Sequence, residues 1–258
     1  MFPTIFALAL LAHLSSDFLL QTDRIAWDKK RGKDGWRSMA MHMAAAFPLN
    51  VMAFYLLLDG WWPLLGAAVI TAAHYFIDCL KDRIRCEKHR TFTFLIDQAL
   101  HIIVIIAVVY VVSMNANQTA TGYYSLLKPL LLLPAWSAEA DKILWTAITG
   151  VACVWGGACF IRFLLKDLNI DPGMAPENPD ENKYSHAGKL IGILERIAIL
   201  ILIPLGQWAA VGLLLTAKSI ARHDLMNKQE YAEYYLIGTL SSFITAVVGG
   251  LLISGIWS

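Results

Sequence analysis

Long apolar runs separated by short polar stretches set the pattern of this chain. Runs at Pro3 to Leu20, Met39 to Leu58, Trp61 to Leu80, Phe92 to Val112, Ile143 to Leu165 and Tyr234 to Trp257 each approach the ~20 residues that a helix needs to cross a bilayer. They predict six transmembrane helices. A further apolar stretch, Gly188 to Ile220, is interrupted near its middle by Pro204, Gly206 and Gln207. Proline lacks the N–H that a helix interior requires and glycine tolerates a turn, so this stretch predicts a broken helical hairpin near Pro204. The expected fold is all-α, a polytopic transmembrane helical bundle. Its parts are an N-terminal four-helix half over residues 1–114, an external interfacial segment over 115–142, and a C-terminal half over 143–258 with a cytoplasmic linker at 166–187.

Composition agrees: 57% of the 258 residues are hydrophobic and 16% are charged. The first run has no basic lead-in and no small-residue cleavage site, so it reads as a retained helix and not as a signal peptide. A net charge of +1 gives nucleic-acid binding no electrostatic support. Cys79, Cys86, Cys153 and Cys159 form no CxxC pair, which suits packing residues better than a disulfide frame or a zinc knuckle.

The distribution of charge orients the helices. Arg24, Lys29, Lys30, Arg31, Lys33 and Arg37 follow the first run, and Lys81, Arg83, Arg85, Lys88 and Arg90 follow the third, whereas Asp59 and Gly60 between the second and third carry no base. By the positive-inside rule both basic loops face the cytoplasm and the N-terminus is external. A turn at Pro204 also returns Lys218, Arg222 and Lys228 to the cytoplasmic side.

Against this topology one pattern stands out. His13 and Asp17, His74 and Asp78, and Asp97 and His101 are each four residues apart, one helical turn on a common face. The first and third helices run toward the cytoplasm and the fourth runs away from it. The reversed order in the fourth therefore gives the same arrangement in space, an imidazole layer beneath a carboxylate layer nearer the cytoplasm. His42, about five residues into the second helix and so ~7 Å along its axis, arrives near the carboxylate level. Each ionisable group costs roughly 2.5 kcal/mol or more in the hydrocarbon region and normally has a partner or a function there. Imidazole and carboxylate at this spacing suit a divalent metal, zinc or manganese above others. The metal set is His13, Asp17, His74, Asp78, Asp97 and His101. Asp17, Asp78, Asp97 and Glu195 are candidate catalytic carboxylates. His42, Gln21, Lys81, Lys189, Arg196 and Lys218 are candidate contacts for a substrate or phosphate. The plainer reading is that each His–Asp pair satisfies itself within one helix turn, and that Glu195 pairs with Arg196 along its own helix while Arg196 snorkels.

At "AHLSSDFLLQTD", "AAHYFIDCLK", "FLIDQALH", "GKLIGILER" and "TAKSIAR...EYYLIGTLSS" the chain resembles an uncharacterised bacterial inner-membrane family, a domain of unknown function with the family number 3307. The resemblance implies a bacterial inner-membrane protein and supplies no activity.

The residues support a metal-dependent hydrolase acting at the cytoplasmic leaflet on a lipid-linked or phosphate-bearing substrate, with metal-activated water as the reagent, because no GxSxG nucleophile motif is present. A metal-ion or proton-coupled transporter and a non-catalytic membrane scaffold stay open beside it. Haem ligation fits the adjacent carboxylates less well. Membrane lipid is the expected partner, and small-residue helix faces allow a homo-oligomer.

Overall fold

The computed structural model describes residues 2–20, 35–84, 89–118, 138–170, 182–227 and 229–258. Outside them lie Gln21, Cys86, most of the first basic loop, part of the second, the interfacial segment from 119 to 137, most of the linker and Lys228.

Among the described residues the fold is all-α apart from one two-residue ladder. Helix α1 (Phe2–Leu14) widens into a π-helical turn at Ser15–Leu20. It is followed by α2 (Gly35–Tyr55), α3 (Trp62–Ile84) and α4 (Arg90–Asn115). Strands β1 (Leu58–Asp59) and β2 (Asn117–Gln118) pair antiparallel, Leu58 opposite Gln118, and so join the α2–α3 connection to the end of α4. Helix α5 (Ala138–Val151) leads through a second π segment, Ala152–Gly156, into α6 (Gly157–Asp167). Then come α7 (Asn182–Leu202), α8 (Trp208–Ala221), a 3-10 turn at His223–Asn227 and α9 (Gln229–Trp257).

Among the described residues, five helical stretches are long and apolar enough to cross a membrane: Phe2–Leu20, Trp62–Arg83, Arg90–Asn115, Glu139–Asp167 and Tyr231–Trp257. Helix α2, which the apolar run predicts as a further span, is not among them. Its 21 residues include Arg37, His42 and Asn50 as well as an internal Pro48, and these lower its mean hydropathy. The buried residues of α2 include Ser38, His42, Ala46 and Asn50, four residues apart on one face, so its polarity is turned inward.

The chain divides into two compact units, Met1–Cys86 with Phe92–Ile148, and Glu87–Thr91 with Thr149–Ser258. In the first, one end is a continuous apolar core of Ile5, Ala9, Phe54, Leu58, Ile70, Ile105, Val109 and their neighbours from α1 to α4. Gly66 makes the close approach there possible, because a Cβ on it would lie 2.7 Å from Val112. In the second unit, α9 packs on α7 through Gly249 and Gly250. A Cβ at Gly249 would meet the Cys153 sulfur at 2.5 Å, and one at Gly250 would meet Ile203 at 2.7 Å. These small-residue faces are covered by the chain's own helices. Cys79, Cys153 and Cys159 form no disulfide with one another and occupy partly buried positions.

Between α7 and α8 the helix stops at Leu202, and Gly206 takes a positive φ of 69°, a conformation that side chains beyond Cβ resist. The Gln207 N–H donates to the Leu202 carbonyl across this turn (2.9 Å). On α8, Lys218 Nζ then reaches Glu195 of α7 at 2.6 Å.

A candidate metal centre in the first unit

Polar side chains from four helices meet at the end of the first unit away from its apolar core. Helix α1 brings His13 and, from its π turn, Asp17; α2 brings His42; α3 brings His74, Asp78 and Lys81; α4 brings Asp97 and His101. The four imidazoles lie against one another. Ring centroids are 4.7 Å apart for His13 and His101, 4.4 Å for His74 and His101, and 5.0 Å for His42 and His74. All four rings are buried.

The tightest grouping is a triangle. His42 Nε2 lies 3.0 Å from His74 Nε2, and Asp17 Oδ1 lies 3.2 Å from His74 Nε2 and 3.4 Å from His42 Nε2. The edge of a tetrahedron is about 1.6 times its centre-to-vertex length, so metal bonds of about 2.0–2.1 Å require ligand atoms about 3.3–3.4 Å apart. An octahedral ion at about 2.1 Å requires about 3.0 Å between adjacent ligands. The three observed edges fall across this range. Asp17 owes its position partly to the π turn, a helix irregularity that concentrates at functional sites; its neighbour Ser16 donates to the His13 carbonyl at 2.8 Å.

A second grouping adjoins the first. One ligand atom each from Asp78, Asp97 and His101 lies within 4.8 Å of the others. His101 Nδ1 is 2.8 Å from the backbone carbonyl of Asp97, and a carbonyl only accepts, so Nδ1 carries the proton. In the neutral ring Nε2 then keeps a bare lone pair, and it is buried without a hydrogen-bond partner. An imidazole that donates one nitrogen to a carbonyl and presents the other is the usual posture of a metal-ligating histidine. Both His13 nitrogens and Asp97 Oδ1 are likewise buried with no hydrogen bond. Such groups cost about 1–3 kcal/mol each when left unmatched. Together they describe a donor-rich, proton-poor pocket whose chemistry fits a divalent cation.

On the outer side of this pocket Lys81 donates to Asp97 Oδ2 at 2.7 Å and sits 4.0 Å from Asp78 Oδ1. Its side chain is 38% exposed, against 2% and 9% for the two carboxylates, so it forms the rim.

Gln21 lies outside the described residues, and the other candidate residues belong to the second unit. Glu195 is held by Lys218, not by its neighbour Arg196. Arg196 is buried and does not snorkel. Its Nε donates to the Val154 carbonyl and its Nη1 to Ser242 Oγ, both at 3.0 Å. Val154 lies in the π segment, where a carbonyl can be released from the regular ladder. Lys189 is exposed, and Arg222 donates to the Tyr231 hydroxyl at 2.6 Å.

His42 is the residue whose role the sequence pattern understates. A helical turn after it stands Ala46, so no His–Asp spacing marks it, and its depth estimate points only to the carboxylate level. In the structure it supplies a corner of the triangle. The signal was its burial on the polar face of α2, shared with Ser38 and Asn50.

Fold and site thus define an all-α protein with several helices fit to cross a membrane and a buried His/Asp cluster in its N-terminal unit. Residues 5–127 match the model of the family described as "Protein of unknown function (DUF3307)". The matched segment contains every residue of the cluster, while the sequence motifs around Glu195 and Lys218 lie beyond it. No curated protein and no solved structure matches the chain.

Proposed function

We propose that this chain is a membrane-embedded divalent-metal protein, and that it acts as a metal-dependent hydrolase at the cytoplasmic leaflet of a bacterial inner membrane on a lipid-linked or phosphate-bearing substrate. The observation that carries this reading is the triangle of Asp17 Oδ1, His42 Nε2 and His74 Nε2, with edges of 3.0–3.4 Å. Hydrogen bonding alone serves it poorly, since two ring nitrogens and one carboxylate compete for few protons. A zinc or manganese ion bound there supplies Lewis acidity and a water acidified toward neutral pH. The chain's own groups do the rest. Asp78, whose Oδ2 lies 3.8 Å from His74 Nε2, and Asp97 beyond it would serve as proton acceptors. Lys81 at the rim is placed to meet a phosphate oxygen as a point charge.

Topology supports access from the cytoplasm. With the two basic loops inside and the N-terminus outside, the Asp and Lys81 level lies nearer the cytoplasmic surface than the imidazoles. Six spans, α2 among them, and a re-entrant turn at Pro204 complete this arrangement. The exposed apolar side chains along α3 and α4, Phe76, Leu80, Phe92, Ile103 and Tyr110 among them, suit contact with lipid.

The transporter reading has one observation in its favour. Asn50 Oδ1 and Thr71 Oγ1 are buried and unpartnered, and they lie on α2 and α3 beyond the imidazole layer. Past them, however, the core around Ile5, Phe54, Leu58 and Ile105 is apolar and closed. A site open to one side favours chemistry over passage.

The test is elemental analysis of protein purified without added metal, together with phosphodiesterase and phosphatase assays before and after chelation. Wild type and Tyr75→Phe, which alters an exposed ring, are expected to retain about one equivalent or more of zinc or manganese, and Asp17→Asn, which removes the carboxylate corner of the triangle, to lose much of it. Equal metal in all three proteins refutes the centre. Metal-dependent flux in proteoliposomes without hydrolysis transfers the site to the transporter.

A further inference from the structure

We propose that the polar cluster of the first unit accepts two divalent ions, and that Lys81 competes with the second for Asp78 and Asp97. The proposal rests on the reading of the cluster as a metal centre and adds its nuclearity and its control.

Two ligand sets can be drawn that share no side chain. Asp17, His42 and His74 form the triangle. Asp78, Asp97 and His101 form the second set, with ligand atoms within 4.8 Å. In the second set the demand for a cation is local. His101 Nε2 keeps a buried lone pair, and Asp97 Oδ1 is buried without a hydrogen bond, although Lys81 Nζ stands only 2.7 Å from Asp97 Oδ2. The ammonium thus answers one of the second set's two negative charges and leaves one oxygen and the imidazole unanswered. A divalent ion answers all of them, since it takes carboxylate oxygens and imidazole nitrogen together.

Charge arithmetic decides the order of binding. Asp17, Asp78 and Asp97 carry three negative charges. One divalent ion in the triangle plus the Lys81 ammonium brings three positive charges and balances them. A second divalent ion beside the ammonium would leave two positive charges in excess in a poorly solvated site, a heavy penalty at these distances. Withdrawal of Lys81 reduces the excess to one, which a single anion such as a phosphodiester neutralises. The lysine can leave: its stem is flexible and its side chain is already 38% exposed, whereas the carboxylates and imidazoles are fixed on buried helix faces. The first ion therefore binds with Lys81 in place, and the second binds by displacing it. A substrate phosphate that takes up the released ammonium or the surplus charge would favour the two-ion state.

The experiment titrates chelator-stripped, full-length protein with Mn2+ and follows free and bound ion by electron paramagnetic resonance. Wild type is expected to bind two ions in separate steps, the second giving the broadened signal of a spin-coupled pair. In Lys81→Met the second step should tighten by about tenfold or more, with the first changed by less than about threefold. Asp97→Asn should bind one ion only. Because either single change alters the charge balance and can impair folding, the double variant Lys81→Met/Asp97→Asn, which removes one charge of each sign, serves as the fold control and should also bind one. A single Mn2+ in both wild type and Lys81→Met, or a second step indifferent to Lys81, overturns this inference and leaves the one-metal centre standing. No Mn2+ or Zn2+ bound by wild type overturns both.

Discussion

Replacing His42 by Leu separates the geometry of the cluster from the helical spacing that first points to it. By spacing, His42 belongs to no His–Asp pair; by structure, its Nε2 is 3.0 Å from His74 Nε2 and 3.4 Å from Asp17 Oδ1. Structural zinc sites with four ligands bind with roughly 10–16 kcal/mol, so each ligand accounts for about 2.5–4 kcal/mol. Loss of one should weaken zinc binding by roughly 60- to 700-fold, at about 1.4 kcal/mol per factor of ten. Leucine has nearly the volume of the imidazole and keeps the buried helix face filled, so the fold should hold. The assay is competition for Zn2+ against a fluorescent chelator in detergent-solubilised protein, with thermal unfolding in the presence of chelator as the check on folding. His74→Leu should lose as much as His42→Leu. His223→Gln, an exposed position in the second unit, should lose nothing. If His42→Leu binds zinc within about threefold of wild type while His74→Leu does not, the triangle is not the primary ligand set.

Other expectations follow from packing and topology. Gly250→Ala should destabilise the protein by about 1–3 kcal/mol, because its Cβ would lie 2.7 Å from the stiff, branched Ile203; Gly255→Ala meets nothing within 4 Å and should stabilise by up to about 1 kcal/mol through helix propensity. Thermal unfolding that ranks them the other way would contradict the α7–α9 contact. Arg196→Lys should cost about 1–3 kcal/mol, since an ammonium cannot reproduce the forked donation to the Val154 carbonyl and Ser242; unchanged stability would mean that the π segment does not depend on the guanidinium. For topology, a thiol introduced at Gly32 should be shielded from a membrane-impermeant label applied outside intact cells and one at Gly60 should react. Labelling at Gly32 would reverse the orientation.

Much of this protein is legible in one dimension because the bilayer simplifies the code. A helix that must satisfy its own backbone in hydrocarbon announces itself by an apolar run of fixed length, and Phe2–Leu20, Trp62–Arg83, Arg90–Asn115, Glu139–Asp167 and Tyr231–Trp257 are all foreshadowed by such runs. The i, i+4 pairs at His13, His74 and Asp97 were legible for a related reason: a helix face is periodic, and ionisable groups are conspicuous against an apolar background. What the sequence could not decide was everything that depends on which faces meet. Helix α2 hides its polar residues by turning them toward α1 and α3, so its composition argues against a span while its burial makes His42 a corner of the site. Glu195 and Arg196 are adjacent in sequence with opposite charges, yet the rotation of about 100° per helical residue points them apart: Glu195 takes Lys218 from α8, twenty-three residues on, and Arg196 takes a carbonyl that a π segment released. Period and composition are properties of a single helix, whereas a triangle of ligand atoms with 3.0–3.4 Å edges exists only after three helices have packed.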